Sequence, residues 1–527
     1  MVLLQLTACQ GDPVGPVVRF DLRLVPVVPY NEAPFEDSNR TELLIQASGL
    51  EPQTLDLGPM VSGDTSLSQG LPELIDATLT VSAWRDDLLV AWGKAGPLSV
   101  VDGDAIEVAM LVARPGEVGW FSALPGTIYR PALAALGNGA FITMGGVSAG
   151  SGGRLTREVE EIYSLDVAPP ADDTLSFAQS GTLPDWIDYN GGTHKGRSGF
   201  DLRTIMVGDD SGKLLLAGGS AVTGFDDATT VTASVFLYDP ITAEFELLRD
   251  RDSLANPRTE YLSVANLQGA ILYWGGWGAT NDPNRVTNVN SLEVYDPVNR
   301  SFTDLGPITG LGQVDAAGAD LGNDGSLLCG GGLDDNSNGI ADWVSSDVCA
   351  RIGLNGTIEA AHTMPESRIG HAMVTLPDGR VLLTGGASSA LTPQAPADLA
   401  SEVPSLSDAW VYNPNNDTWA DGGSLGLARS GHRMEILPDG RVLVVGGSGT
   451  YLMAGLASEP ISCVEIFDPA TGRSEVLNDC AAGEDAGGLA GPAWQPSVAL
   501  DPEYGILVVG GGASELQAQD AVGLYLP

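Results

Sequence analysis

Gly379-Arg-Val-Leu-Leu-Thr-Gly385-Gly386 and its near-copy Gly440-Arg-Val-Leu-Val-Val-Gly446-Gly447 decide how this chain is read. A turn glycine, five mostly apolar residues and a glycine pair recur at Gly139/Gly145-Gly146, Gly212/Gly218-Gly219, Gly269/Gly275-Gly276, Gly325/Gly331-Gly332 and Gly505/Gly511-Gly512, seven occurrences in all. Repetition at such a period marks an array of similar units. The five residues are mostly Val, Leu and Ile, as a strand buried on both faces requires. The glycines lack the Cβ that would hold neighbouring units apart. The phrase is therefore a packing device, not a phosphate cradle.

Each phrase sits in a larger unit. Around Gly379 the residues Ser367-Arg368-Ile369-Gly370-His371 open a first strand, and Pro377-Asp378-Gly379 make the hairpin. Residues 380–384 form the second strand, Asp408-Ala-Trp-Val-Tyr412-Asn-Pro414 the third with its turn, and Thr418-Trp419 begin the fourth. The third-strand phrase returns at Phe236-Leu-Tyr238-Asp-Pro240, Val294-Tyr295-Asp-Pro297 and Ile466-Phe467-Asp-Pro469. With its double glycine, later Tyr and fourth-strand aromatic, the unit resembles the kelch repeat over residues 116–527. That resemblance implies an all-β fold, a seven-bladed β-propeller of four-stranded blades. The last unit runs out of chain one strand short, and residues 117–123 read as a fourth strand with no first three. Pairing them with the C-terminal strands closes the ring and removes its open edges.

Residues 17–115 are of another kind. Apolar and polar residues alternate over 17–24, 41–47, 53–60, 77–84, 88–92 and 105–113, separated by Ser48-Gly49, Asp86-Asp87 and Asp102-Gly103-Asp104. Such short strands suggest an N-terminal β-sandwich of immunoglobulin-like or transthyretin-like kind, a spacer ahead of the propeller.

The 527 residues carry 68 Asp and Glu against 25 Lys and Arg, a net charge of −43. Such a surface repels phosphate backbones, which argues against nucleic-acid binding. Residues 1–16 hold Leu6-Thr7-Ala8-Cys9, which looks like a lipobox with Cys9 as the acylated residue. No basic stretch precedes it, and the apolar run is too short for a signal peptide. The expectation is an exported, lipid-anchored bacterial protein, an outer-membrane lipoprotein facing periplasm or cell surface. Cys329 with Cys349, and Cys463 with Cys480, fall as local pairs within single repeats, so disulfides are expected over a zinc site.

Three sets of residues could carry chemistry. His371 and His432 share one repeat position in Arg-x-x-His phrases, where other repeats have Phe200 and Tyr261; that favours a structural layer over a catalytic pair. The galactose-oxidase type of kelch enzyme needs a copper site of His, Tyr and a Cys linked to Tyr, and no His-rich set stands outside the repeat positions. No Ser-x-Asp-x-Gly-x-Thr-Trp box of the sialidase type is present. Asp334, Asn336, Asn338, Ile340 and Asp342 have the alternation of a calcium loop, Ile340 through its carbonyl, without the closing Glu. The long connection 172–199 gathers Trp186, Tyr189, His194, Lys195 and Arg197, an aromatic and basic set suited to a glycan or an acidic peptide. The resulting expectation is a monomeric, non-catalytic binder of protein or glycan through its loops. The alternative is an oxidase or hydrolase acting on carbohydrate.

Overall fold

The computed structural model describes residues 18–26, 38–59, 65–71, 73–100, 105–116, 118–121, 124–126, 128–149, 155–166, 177–188, 191–221, 230–248, 253–279, 287–334, 343–388, 402–452, 460–477, 495–502, 504–509, 512–514, 517–518 and 522–525. The fold is all-β, with a short 3-10 turn at Gly322–Asp324. No helix among the described residues is long and apolar enough to cross a membrane.

Seven four-stranded antiparallel sheets follow one another along the chain. Their first strands are Ala132–Gly137, Leu202–Thr204, Leu262–Ala265, Ala317–Asp320, Ala372–Thr375, Arg433–Ile436 and Ser497–Asp501. The second strands carry the repeated phrase, and Leu214–Ala217, Ile271–Trp274, Ser326–Cys329, Val381–Thr384 and Val442–Val445 are buried at every residue. In the seventh sheet Val522–Tyr525 lies between Gly505–Val509 and Val118–Phe121, so strands from both ends of the chain share one sheet.

The sheets are held by apolar clusters, each bridging two neighbours. Ile142 and Met144 of the first meet Leu214 and Leu216 of the second, and Leu383 of the fifth meets Cys329 and Leu327 of the fourth. Val445 of the sixth meets Val508 of the seventh, and Val522 and Leu524 of the seventh return to Phe141 and Leu133 of the first. The ring is thereby closed by the same burial that holds each pair of sheets. Burying such residues is worth roughly 1.5–3 kcal/mol per large apolar side chain.

The structure moves one repeat by a residue. Five glycine pairs have left-handed φ at both members, as in Gly385 and Gly386 at +59° and +90°; the fourth sheet shows the pattern at Gly330 and Gly331, +67° and +89°. The expected pair Gly331-Gly332 is therefore out of frame. The hairpin there runs through the 3-10 turn to Gly325, which leaves one residue fewer before the pair.

Upstream, Val18–Pro26 pairs in parallel with Ala105–Val112 and antiparallel with Thr65–Leu71. A second sheet orders Gln53–Asp56, Arg40–Gln46, Leu74–Arg85 and Leu88–Val100. Leu22, Leu24, Val108 and Met110 of the first share one core with Leu43, Ile45, Leu79 and Val81 of the second. Leu111, Ala113 and the half-buried Trp92 join the cluster of Leu133 and Phe141, which seats this unit on the first sheet of the ring.

Candidate functional site

The structure first accounts for the Arg-x-x-His layer. Arg197, Arg258, Arg368 and Arg429 are among the most deeply buried side chains. Arg368 clamps Asp408 with both guanidinium nitrogens, at 3.0 and 2.9 Å, and donates to the carbonyl of Gly385 at 2.8 Å. Arg429 pairs with Glu465 and donates to the carbonyls of Gly446 and Cys463. Arg258 pairs with Glu293 at 2.5 Å. Each arginine staples the approach to a first strand onto the glycine pair and third strand of its own sheet. Arg197 has Phe236 where Arg258 has Glu293; it donates to Ser234 and lies over the rings of Trp186, Phe200 and Phe236. Burial without a counter-ion pushes its guanidinium down to about 9.

The connection expected to bind ligand is thus partly internal. Trp186 is buried, donates its indole N–H to the Gly196 carbonyl and stacks on His194 at 4.8 Å; His194 Nε2 sits 2.8 Å from Asp188. Lys195 is exposed and His194 half-buried, while Tyr189 lies outside the described residues. Cys329 and Cys349, directly opposite on adjacent strands, form a disulfide. Cys463 is disulfide-bonded and buried; its expected partner Cys480 lies outside the described residues, as does Cys9. Asp334 ends the strand Gly332–Asp334, and Asn336, Asn338, Ile340 and Asp342 also lie outside them.

A polar cavity of about 310 Å³ lies where the first strands of all seven sheets converge. Two residues after each stapling position the backbone enters the left-handed region. The seven equivalent residues, Arg130, Gly199, Glu260, Asp315, Gly370, Gly431 and Gln495, have φ between +48° and +66°, and all of them line the cavity. Backbone hydrogen bonds link them around the ring: Glu260 N to Gly199 O at 2.7 Å, Gly370 N to Asp315 O at 3.0 Å, Gly431 N to Gly370 O at 2.7 Å and Gln495 N to Gly431 O at 3.0 Å. Glycine adopts this conformation freely, whereas another L-residue there costs about 1–2 kcal/mol. Four of the seven positions nevertheless hold charged or amide side chains.

Those side chains bridge the cavity. Arg130 Nη1 meets Glu260 Oε2 at 3.0 Å. Tyr451, on the strand Thr450–Leu452 that pairs with Glu402–Pro404, reaches over Gly370 to donate to Asp315 Oδ2 at 2.7 Å. Gln495 Nε2 donates to Asp315 Oδ1 at 3.4 Å. Deeper, Arg203 pairs with Asp201 at 2.8 Å and donates to the Ser263 hydroxyl at 2.8 Å. Arg433 and Glu435 line the wall from the sixth sheet. Burial pushes the Glu435 carboxyl up to about 7, with Arg203 and Arg433 opposing the rise.

Several buried polar atoms here have no partner: both ring nitrogens of His371, Nδ1 of His432 and Oε1 of Gln495. Burial, helped by the Arg368 charge, holds the His371 ring down to about 3, so it is neutral at physiological pH. Unsatisfied buried polar atoms cost about 1–3 kcal/mol each. Here they cluster beside a cavity. Sequence reading recognised the histidine layer but passed over the left-handed ring. Its signal was available in the aligned Arg-x-Gly of Arg197-Ser198-Gly199, Arg368-Ile369-Gly370 and Arg429-Ser430-Gly431, where Arg258-Thr259-Glu260 breaks the glycine rule.

No family model matches this chain, and no curated protein does. A solved structure described as a novel fungal alcohol oxidase of the AA5 family, in complex with copper, is similar over 78% of this chain and 76% of its own, with 16% identity and a TM-score of 0.51. The structure of YjhT is similar over 68% of this chain and 99% of its own, with 14% identity and a TM-score of 0.45. The class of protein so defined is a propeller-type all-β fold; at these identities the likeness extends to fold alone. Among the described residues no three His, Cys, Asp or Glu side chains come together as a metal site, and His432 Nε2 lies 2.8 Å from Thr384 Oγ1.

Proposed function

We propose that this chain is a seven-bladed, kelch-type propeller behind an N-terminal β-sandwich, and that its axial cavity binds a small polyhydroxylated ligand of saccharide type. Seven consecutive four-stranded sheets with inter-sheet cores support the propeller, and the two facing sheets of residues 18–112 support the sandwich. The observation that carries the binding site is the left-handed ring, where four positions suited to glycine hold Arg130, Glu260, Asp315 and Gln495 beside unpartnered buried polar atoms. Backbone strain of this kind is retained where a site uses it, and the cavity has the size of a small-molecule site.

The test is a calorimetric screen of neutral and acidic monosaccharides against the wild type and Ser497→Phe, which fills the cavity, with melting curves to verify that the variant folds. Binding that disappears in the folded variant supports the reading. Binding that survives unchanged, or no binding by the wild type, sinks it.

Glu435 favours a second reading. A carboxyl pushed up to about 7 in a polar cavity suits proton transfer near neutral pH, and hence a hydrolase-like activity on the same ligand. Turnover of any bound sugar, lost in Glu435→Gln with binding kept, distinguishes this from simple binding. The proposal also includes export with lipidation at Cys9, read by palmitate labelling of the wild type and Cys9→Ser. It extends to calcium on the 334–342 loop, read by calcium titration of the wild type and Asp334→Ala.

A further inference from the structure

The axial cavity holds three arginines, and two have counter-ions in contact: Arg130 with Glu260 and Arg203 with Asp201. Arg433 has none. Among the described residues it makes neither an ion pair nor a side-chain hydrogen bond, and neither does Glu435. The two are neighbours on one face of Arg433–Ile436, because side chains two apart on a strand point the same way. They nevertheless stay out of contact. Arg433 is exposed, yet its exposure is to the cavity rather than the outer surface. Enclosure by the walls pushes its guanidinium down, and Arg130 and Arg203 add to that push while Asp201 and Asp315 oppose it. A guanidinium stays charged in proteins, so what this one lacks is an anion.

We propose that the cavity recognises a small hydroxylated monocarboxylate of hexuronate size, its carboxylate held in the fork of Arg433 and its hydroxyls by Glu435. The inference rests on the reading of the cavity as the ligand site and adds the class of ligand. Planar, two-pronged donation is the guanidinium's preferred mode toward a carboxylate. Arg433 is the lining arginine with no counter-ion in contact, and a monocarboxylate meets the repulsion of Asp201, Glu260, Asp315 and Glu435 with half the charge of a phosphate dianion. Glu435, two residues along the same strand and lining the same cavity, can accept a hydroxyl of that ligand. About 310 Å³ admits one sugar ring, not a chain of them.

The experiment is calorimetric titration of the full chain with sodium D-glucuronate and D-galacturonate, each beside its neutral hexose, and with glucose 6-phosphate. Wild type, Arg433→Gln and Arg433→Lys are compared. The wild type should bind at least one uronate at least tenfold tighter than the neutral hexose and tighter than the sugar phosphate. Arg433→Gln should erase that preference while leaving hexose affinity within about threefold, and Arg433→Lys should keep part of it. Equal affinity for acid and neutral sugars overturns the inference and leaves the cavity reading standing. So does a preference that survives Arg433→Gln, or tighter binding of the phosphate. Absence of binding by any sugar to the wild type overturns both.

Discussion

Arg130 and Glu260 meet at 3.0 Å over Gly199, and both stand on left-handed backbone, at φ +51° and +54°. They belong to the first and third units of the ring, so their side chains cross the second. They can do so because that position is glycine: a Cβ on Gly199 would lie 3.1 Å from Glu260 Cγ and 2.1 Å from the Thr259 hydroxyl oxygen. Both residues accept a strained conformation that places their charges at the cavity.

The bridge should therefore contribute to cavity geometry more than to stability. Both side chains are partly exposed, 22% and 30%, and such pairs couple by about 1 kcal/mol or less. A double-mutant cycle of Arg130→Ala and Glu260→Ala, read by denaturant unfolding, should give a coupling of that size. Glu260→Gly should be neutral or slightly stabilising, because it removes the backbone strain along with the charge. A loss above about 2 kcal/mol for Glu260→Gly would contradict this account.

The stapling arginines should differ among themselves. Arg429→Met strands Glu465 in the interior, and breaking a buried pair from one side costs about 3–5 kcal/mol. The contacts Glu465 retains, from the Gly426 and Leu427 N–H groups and the Ser474 hydroxyl, set the expectation at the lower end. Arg197→Met strands no acid and replaces a cation among Trp186, Phe200 and Phe236 by an apolar chain. It should cost at most about half as much in the same urea titration.

Stability should respond to pH through two opposed groups. Folding lowers His371 from 6.5 to about 3, so its contribution is full above pH 6.5 and is lost as pH falls toward 3. His432, held well below its ordinary value by burial, acts in the same sense. Folding raises Glu435 from 4.5 to about 7, so its contribution is full below pH 4.5 and is lost as pH rises through 7. His371→Phe, which installs the ring type found at the equivalent Phe200, should flatten the acid side of a melting-temperature profile. An unchanged slope between pH 6.5 and 4 would show that the histidine is not the source.

Ring closure should depend on the C-terminal strand. Val522–Tyr525 pairs with Gly505–Val509 on one side and Val118–Phe121 on the other, and buries Val522, Leu524 and Tyr525. Removing residues 520–527 should abolish the single cooperative melt followed by near-ultraviolet circular dichroism. The milder Leu524→Ala should lower the transition without splitting it, with a cost of about 2–5 kcal/mol. A truncated chain that melts like the full one would refute the closure.

Much of the architecture was legible because it repeats. Val381–Thr384 is three apolar residues and a threonine, with Gly379 two residues before it and Gly385 directly after, so burial on both faces could be read from the residues alone. Repetition also set the limit of that reading. The fourth unit was placed one residue out of frame, since three glycines in a row leave the pair ambiguous until φ values choose Gly330 and Gly331. Trp186 and Arg197 looked like a binding surface in the sequence, because a loop position says nothing about which way a side chain turns. In the structure they stack on each other inside the fold.

The sequence by itself determined the repeated strand, its count, the acidic surface and the local pairing of Cys329 with Cys349, all set by patterns within a few tens of residues. Only the tertiary structure decided where the polar cavity lies. Arg130, Glu260, Asp315, Arg433 and Gln495 are scattered over 366 positions, and no local pattern relates them. They converge because each sheet enters the ring through the same left-handed turn, and closing the ring brings seven such turns to one axis.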